Sequence, residues 1–315
     1  MTLEELRNKQ KTLISLVLKN MESSFLPIYL PFSYLGARIC YAETHPLLLF
    51  EEEKFKDLER FKSFLLHLKK AGHFSVFAHT PIFVKLHKLS LKEKFELSST
   101  YFKVFIDEDL ALFNLRHLAE NLSDQEFLNL INLEPRLDKV EVTIFRKGQK
   151  IFSGTLNNID PLLIKEEKKL WAEPEIIILR SIDPKPFSWI GVIAHNFSRL
   201  FSHQFVRHTW LNFNQRSHRY TKVDKFVIPK AFKEKDVKVY QEIIEKSLKI
   251  YEELSLNMKR ESARFVVPQG VATTVFATGP LFVWQDFIEK RIIPQAQDEI
   301  RELAKILKEV LLLVR

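Results

Sequence analysis

An α+β fold, with a mixed or antiparallel sheet packed against long helices, is predicted by three features of this 315-residue chain. Strand-like and helix-like segments come in runs rather than in strict βα units, which disfavours a doubly wound parallel sheet. Residues 140–154 read as a hairpin turning at Lys147-Gly148-Gln149, and Glu175–Arg180 reads as a continuous apolar strand. Residues 51–71, 233–259 and 294–314 read as long helices.

Taken in order, residues 3–25 predict an amphipathic helix on Leu6, Leu13, Leu16, Val17 and Met21, broken by the Pro27–Pro31 region. Tyr34–Tyr41 reads as a strand or the start of a helix. The helix over 51–71 stops at Gly72. His73–Leu86 reads as a strand, followed by a short strand at Phe102–Ile106 and helices at Asp109–Asn121 and Ser123–Ile131. Beyond the hairpin, Leu162–Trp171 is predicted helical and Asp183-Pro184-Lys185-Pro186 a rigid connector. Trp189–Ala194 reads as a strand. The helix after it runs from Asn196 to Arg207, capped near Asn196 or Ser198, with Phe197, Leu200, Phe201 and Phe205 apolar. Lys233–Lys259 is a long helix and Val266–Pro268 is extended. Thr273–Ile288 is mixed, with a helix from Pro280, and Pro294–Val314 is the last helix.

Composition narrows the function. Hydrophobic content of 46% and charged content of 28% describe a globular protein, and only 7 glycines argue against a Gly-rich phosphate loop. Any nucleotide must be held by side chains or helix ends. The net charge of +8 suits an anionic ligand. Most lysines sit in mixed-sign helical stretches, so a nucleic-acid partner is not expected. The single cysteine, Cys40, excludes an internal disulfide and a multi-cysteine zinc site, and it reads as a buried packing residue. The histidines lack metal-ligand spacing with a third ligand, so no metal is expected. No signal peptide and no apolar run of membrane-spanning length is visible, which predicts a cytoplasmic protein with no membrane association.

Gln204–Tyr220 is the chemically dense stretch. Arg207, Arg216 and Arg219 interleave with His208, His218, Gln204, Asn212, Asn214, Gln215, Ser217 and Tyr220. Guanidinium forks match phosphate oxygens, and amides read the edge of a base. On residue types alone, a polar surface loop with salt bridges accounts for the stretch equally well. If the preceding helix reaches Arg207, then His203 and Arg207 share a face. If the following segment is extended, Ser217 and Arg219 point the same way.

The order of these residues resembles a signature. Ser198-Arg199, Gln204, Arg207-His208, Asn214, Ser217 and Arg219-Tyr220 are similar to the pattern of flavin-dependent thymidylate synthases, with Ser217 eight positions after Thr209. Glu261-Ser262-Ala263-Arg264 through Pro268 resembles the family's E-x-A-R-x-x-x-P segment. Arg291 with Ala296-Gln297-Asp298-Glu299-Ile300-Arg301 resembles its C-terminal motif. Ala37-Arg38, Cys40-Tyr41, Gly72-His73 and His79 resemble its opening segments. The resemblance implies an FAD enzyme that methylates dUMP to dTMP with methylenetetrahydrofolate and NADPH, assembled as a homotetramer with shared sites. It implies Gln204, Gln215, Ser217, Arg219, Arg264 and Arg291 for dUMP, with Arg291 and Ser217 at the catalytic step. It implies His79, Arg207, His208 and Thr209 toward the flavin. A binding role for Ser217 is favoured over a nucleophilic one, since no general base is evident beside it.

Departures accompany the likeness. Thr209 stands in place of the signature's second Arg, Gln215 in place of an acid and Ala78 in place of a Glu. Gly279-Pro280-Leu281-Phe282 stands where the family has N-x-R-x-L. Residues of about 90–186 form an inserted α/β segment within a domain spanning 1–315. This insert contains Asn114-Leu115-Arg116-His117-Leu118, so Asn114 and Arg116 are candidate replacements at the flavin site, against a chance match on a surface helix. A diverged pyrimidine-nucleotide flavoenzyme and a non-catalytic nucleotide- or nucleic-acid-binding homologue are the alternative functions.

Overall fold

The computed structural model describes residues 2–21, 26–87, 89–98, 104–164, 169–181 and 187–311. The expected connector 183–186, the start of the 102–106 strand, part of the 162–171 helix and the ends of the 3–25 and 294–314 helices lie outside them.

Helix α1 (Leu3–Leu18) begins at a capping box in which Thr2 and Glu5 satisfy each other's backbone N–H. Helix α1 ends before the Pro27–Pro31 region, as expected, but that region itself begins a second helix, α2 (Leu26–Ile39). Pro27 lies in its first turn, where no N–H is needed. Pro31 lies inside it. The Pro27 carbonyl, which the missing Pro31 N–H would have met, accepts the Arg136 N–H at 3.2 Å instead. The 51–71 helix is two helices, α3 (Glu53–Lys56) and α4 (Leu58–Lys70), because Asp57 leaves helical geometry to cap Arg60 N–H. Gly72, at φ +74°, ends α4 as expected.

The expected 73–86 strand divides into a 3-10 turn at Phe74–His79 and strand β1 (Pro81–Lys85). After α5 (Leu91–Ser98), β2 (Phe105–Asp107) and β3 (Leu110–Asn114) join β1 in an antiparallel sheet of order β1-β3-β2. The expected 109–121 helix therefore starts only at α6 (Leu115–Asn121). The apolar run Leu110–Phe113 suits either state, and pairing on both edges decides for strand. Helix α7 (Asp124–Leu130) carries a Ser123/Glu126 capping box.

The main sheet is built from β4 (Glu141–Arg146), β5 (Gln149–Thr155), β6 (Glu175–Arg180) and β7 (Trp189–Ser198), followed across α8 (Arg199–Phe205) by β8 (Asn212–Gln215). Helices α9 (Glu234–Asn257) and α10 (Arg260–Ala263) then precede β9 (Ala272–Pro280), and α11 (Leu281–Arg291) and α12 (Asp298–Leu311) complete the chain. The order is β5-β4-β6-β7-β9-β8, with every neighbouring pair antiparallel. Residues 161–164 form a turn rather than helix; of the expected extended segment Val266–Pro268, Val266 closes a 3-10 turn over Arg264–Val266 and Val267 is extended.

Both faces of this sheet are covered, so β6 reads as an apolar run and β9 is buried at every position. Ile177, Leu179, Ile193 and Phe276 face α2, while Ile176, Ile178, Val192 and Val275 face the layer holding Phe201, Phe205, Trp284 and Phe287. At Asn196 (φ +61°) β7 is bulged between Ala194 and Phe197, and Ser198 then caps α8 through Phe201 N–H. The fold is α+β. Among the described residues no helix is long and apolar enough to cross a membrane.

Candidate active site

Strand β8 is fixed by a buried histidine. The imidazole of His79 packs against Phe276 (centroids 4.5 Å apart), and a Cβ at Gly36 would meet its ring at 2.5 Å. Asn214 Nδ2 donates to Cys40 Sγ at 3.4 Å, which aims Asn214 Oδ1 at His79 Nε2, 2.7 Å away. Nε2 therefore carries the proton, and Nδ1 accepts from the Thr278 hydroxyl at 2.9 Å. Burial pushes this imidazole down to about 4, so it is neutral at pH 7. The ring is 0% exposed and both nitrogens are used within the protein. His79 thus has no surface to turn toward a flavin. It positions β8 instead. Cys40 is partly exposed and hydrogen-bonded rather than a fully buried packer, and burial pushes its thiol up.

The residues before β8 form one group. Helix α8 stops at Phe205 with Val206 as cap, so Arg207 lies in a turn and does not share a helical face with His203. Arg207 is exposed, with no carboxylate within ion-pair distance among the described residues. Thr209 and Trp210 follow it, Trp210 being 56% exposed. Arg291 Nε donates to His208 Nε2 at 2.8 Å while Phe287 meets the imidazole edge-on. Burial, then the Arg291 charge, push His208 down to about 4. A neutral imidazole therefore holds the Arg291 guanidinium at the end of α11. Gln204 is half-buried on the last turn of α8.

The residues after β8 form a second group. Gln215 Nε2 donates to Thr273 Oγ1 at 3.1 Å, Arg216 N–H bonds Thr274 O, and Ser217 N–H bonds Cys40 O. Ser217 O then accepts from both Tyr220 and Thr221 N–H, so Ser217–Tyr220 is a turn. Ser217 and Arg219 consequently do not alternate along an extended strand. The Ser217 hydroxyl accepts from Arg219 N–H, with no His, Asp or Glu among its partners in the described residues. Arg219 ion-pairs with Glu261 at 2.6 Å and lies over Tyr220, which packs on Tyr41. Arg264 has no carboxylate within ion-pair distance among the described residues. Burial, then the charges of Arg199, Arg216 and Arg264 hold His218 at about 4, and its Nε2 donates to Ala272 O at 3.1 Å.

The two insert candidates part company. Asn114 is 4% exposed, and its Oδ1 has no hydrogen-bond partner among the described residues. It lines a cleft of about 10 Å³ with Phe105, Trp189, Trp210, Asn212 and Pro280. Phe105 also packs on Phe282, 4.9 Å away, so the insert covers the segment that lacks N-x-R-x-L. Arg116 instead pairs with Glu120 on its own helix at 2.7 Å and is half-exposed, and it is absent from the residues lining that cleft. Sequence reasoning assigned no role to Arg199, His218, Thr274 or Thr278. The signal for the threonines was three hydroxyls, at 273, 274 and 278, in an otherwise apolar strand.

Residues 190–313 match the family model described as "Thymidylate synthase complementing protein". A flavin-dependent thymidylate synthase of Pyrococcus furiosus is 36% identical over 124 residues, which is 36% of this chain and 50% of that protein. One of Sulfolobus acidocaldarius is 38% identical over 122 residues, 36% of this chain and 46% of that protein. The chain thus spans about half the length of the curated relatives it matches. A UMP/dUMP methylase, PolB, of Streptomyces cacaoi is 20% identical with a TM-score of 0.36, covering 40% of this chain and 70% of that one. The motif resemblance from Gln204 to Arg301 falls inside the matched region, whereas His79, Asn114 and Arg116 lie outside it.

Proposed function

We propose that this protein is a flavin-dependent thymidylate synthase that methylates dUMP to dTMP, using methylenetetrahydrofolate as carbon donor and NADPH as reductant. One observation carries the reading. Half-buried Arg264 has no carboxylate within ion-pair distance among the described residues and stands with Ser217 and Arg219 in the order of the family's nucleotide motif. Arg264 and Arg219 suit the phosphate, Ser217 and Gln215 the sugar–phosphate edge, and Gln204 the uracil. Arg291, oriented by neutral His208, suits the negative charge that develops as the pyrimidine is activated. Ser217 serves as a binder.

The chain also offers a flavin a fitting donor set. Exposed Arg207 suits a pyrophosphate, Thr209 adds a hydroxyl in place of a guanidinium, and exposed Trp210 presents a ring face. Bound flavin supplies the hydride, and the arginines hold and polarise the substrate. Asn114 remains in this reading as the insert's contribution near Trp210. The domain is read as 1–315 with its insert at about 90–186, an extension whose β6 pairs with β7 along six residues.

The two groups lie at opposite ends of β8, an edge strand, which favours sites completed by a second copy in a cytoplasmic homotetramer. Val239, Ile243 and Ile250 form an exposed apolar stripe on α9 suited to such contacts. Light scattering at a tetramer mass supports this; a monomer overturns it.

Purified protein is expected to carry flavin absorbance and to release tritium from 5-labelled dUMP when folate and NADPH are present. Failure to bind added FAD rejects the reading. Arg264→Ala is expected to raise the apparent KM for dUMP by roughly 10- to 100-fold, matching ~1.5–3 kcal/mol for a charge-assisted contact. An unchanged KM removes Arg264 from the site.

A further inference from the structure

We propose that Glu299 is a positioning residue: from the first turn of α12 it fixes the start of α8 and, through α8, the contact between His208 and Arg291. The inference rests on reading that contact as part of the site. It gives a role to the stretch Gln297-Asp298-Glu299-Ile300-Arg301, which carries none of the proposed ligand contacts.

Glu299 accepts from two atoms of one residue. Ser198 N–H donates to its Oε1 at 2.9 Å, and the Ser198 hydroxyl donates to its Oε2. Gln297 Nε2 adds a third donor to Oε2 at 2.8 Å. All three donors are neutral, whereas the neighbouring carboxylates Asp298 and Glu302 pair with Arg301 and Lys230. A two-point grip sets direction as well as distance. Ser198 is 3% exposed, and its hydroxyl also accepts Phe201 N–H at 3.0 Å, so whatever holds Ser198 holds the first turn of α8.

The contacts close a ring. From Ser198, α8 runs to Phe205, and the N–H groups of Arg207 and His208 bond Gln204 O and Phe205 O at 3.3 Å each, so His208 follows directly from the helix. His208 Nε2 accepts Arg291 Nε at 2.8 Å at the end of α11. The chain returns to α12 through 292–297, where Arg301 donates to Pro294 O at 2.5 Å and to Ala296 O at 3.3 Å and pairs with Asp298. Glu299 completes the ring at Ser198. Inside it Phe205 and Phe287 pack at 5.5 Å, with Phe201, Trp284 and Leu303 in the same apolar layer. That packing brings α8, α11 and α12 together but is non-directional. The hydrogen bonds of the ring fix where each helix starts and stops along its axis. Reaction geometry is sensitive on that scale, since a misplacement of ~1 Å can cost about a hundredfold in rate.

Glu299→Ala, Glu299→Gln and Ser198→Ala in the full chain test this through two readouts. The first is NMR titration of the histidines, which needs no substrate. In the wild type His208 is held at about 4 by burial and then by the Arg291 charge. Glu299→Ala is expected to move His208 up toward its ordinary 6.5, while His79, whose partners are Asn214 and Thr278, stays at about 4. Ser198→Ala removes one arm of the grip, and Glu299→Gln keeps an acceptor for Ser198 N–H. Both should show the same change in smaller measure, and they carry the test if the alanine variant does not fold. The second readout is tritium release from 5-labelled dUMP. Glu299→Ala should lower kcat by roughly 10- to 100-fold, with partial recovery in Glu299→Gln. The KM for dUMP should change little, because charge-assisted phosphate contacts outweigh the neutral amide contact of Gln204. A His208 titration that stays at about 4 in every variant overturns the inference, because the ring then does not depend on Glu299. Equal movement of His208 and His79 overturns it as well, because the damage is then global. So does a raised KM at unchanged kcat. If the wild-type protein releases no tritium while His208 still responds to Glu299, the ring stands and the thymidylate synthase reading fails.

Discussion

Replacing Glu175 with alanine is expected to lower the unfolding free energy by ~3–5 kcal/mol, the cost of stranding buried charge partners. Glu175 is 2% exposed and joins three parts of the chain. Its Oε1 meets His45 Nε2 at 2.7 Å, before the first sheet begins. Its Oε2 accepts Arg146 Nε at 2.9 Å and Nη2 at 2.7 Å from the neighbouring strand. His195 lies opposite it in the β6–β7 register, and the rings of His45 and His195 meet edge to face at 5.0 Å. Burial works against the ionised carboxylate. The hydrogen bond from His45, the charges of His45 and His195 and the hydrogen bond from Arg146 nevertheless hold it below the usual carboxylate range. Alanine removes the anion and leaves the His45 imidazole and the Arg146 guanidinium without this acceptor. Glu175→Gln keeps the shape and one acceptor oxygen, so its loss should be smaller. Urea unfolding at pH 7 measures both, and a loss below ~1 kcal/mol for alanine would place this network among the inconsequential ion pairs.

The network also indicates which parts of the fold were legible in the sequence. The β4–β5 hairpin, β6, α7 and α9 were readable because their causes are local. Gly148 supplies the positive φ of the turn, Ser123 and Glu126 cap each other, and α9 keeps one periodic pattern. Helix α2 was not, because Pro31 is tolerated only through the Arg136 N–H, more than a hundred positions along the chain. Strand β3 was not, because its apolar run takes its state from β1 and β2. The site divides similarly. Arg207, His208, Ser217, Arg219, Arg264 and Arg291 are candidates that the sequence presents as an ordered motif. The placement of His79 depended on partners distant in sequence, Asn214 and Thr278, whereas Arg116 pairs with Glu120 one helical turn away, a local contact that the motif match did not consider.

Stability is expected to fall by ~3 kcal/mol or more as pH drops from about 6.5 to about 4, driven by histidines that the fold keeps neutral. His79, His208 and His218 are each pushed down to about 4, burial being the largest cause in every case. Their folded values lie below the unfolded value of 6.5, so the unfolded chain binds more protons between those limits. Stability from these groups is therefore complete above about 6.5, declines through the interval and is lost below about 4. His79, fully buried, contributes ~2 kcal/mol of this by pH 5 and ~3 kcal/mol by pH 4 on its own. Protonation there adds a charge that Thr278 Oγ1 and Asn214 Oδ1 meet only in part, beside Phe276. His79→Gln keeps an amide donor toward Asn214 but has nothing to titrate, so it should be less stable at pH 8 and show a shallower decline toward acid. Urea midpoints at pH 8, 7, 6, 5 and 4 test both chains. A flat wild-type profile between pH 6.5 and 5, or the same slope in His79→Gln, would mean that His79 is not the group whose burial is being undone. Because His79 holds Asn214 and Asn214 lies in β8, the same protonation should loosen the strand between the two groups of arginines. On the proposed thymidylate synthase reading, loss of dUMP binding should then track the acid limb of the stability profile.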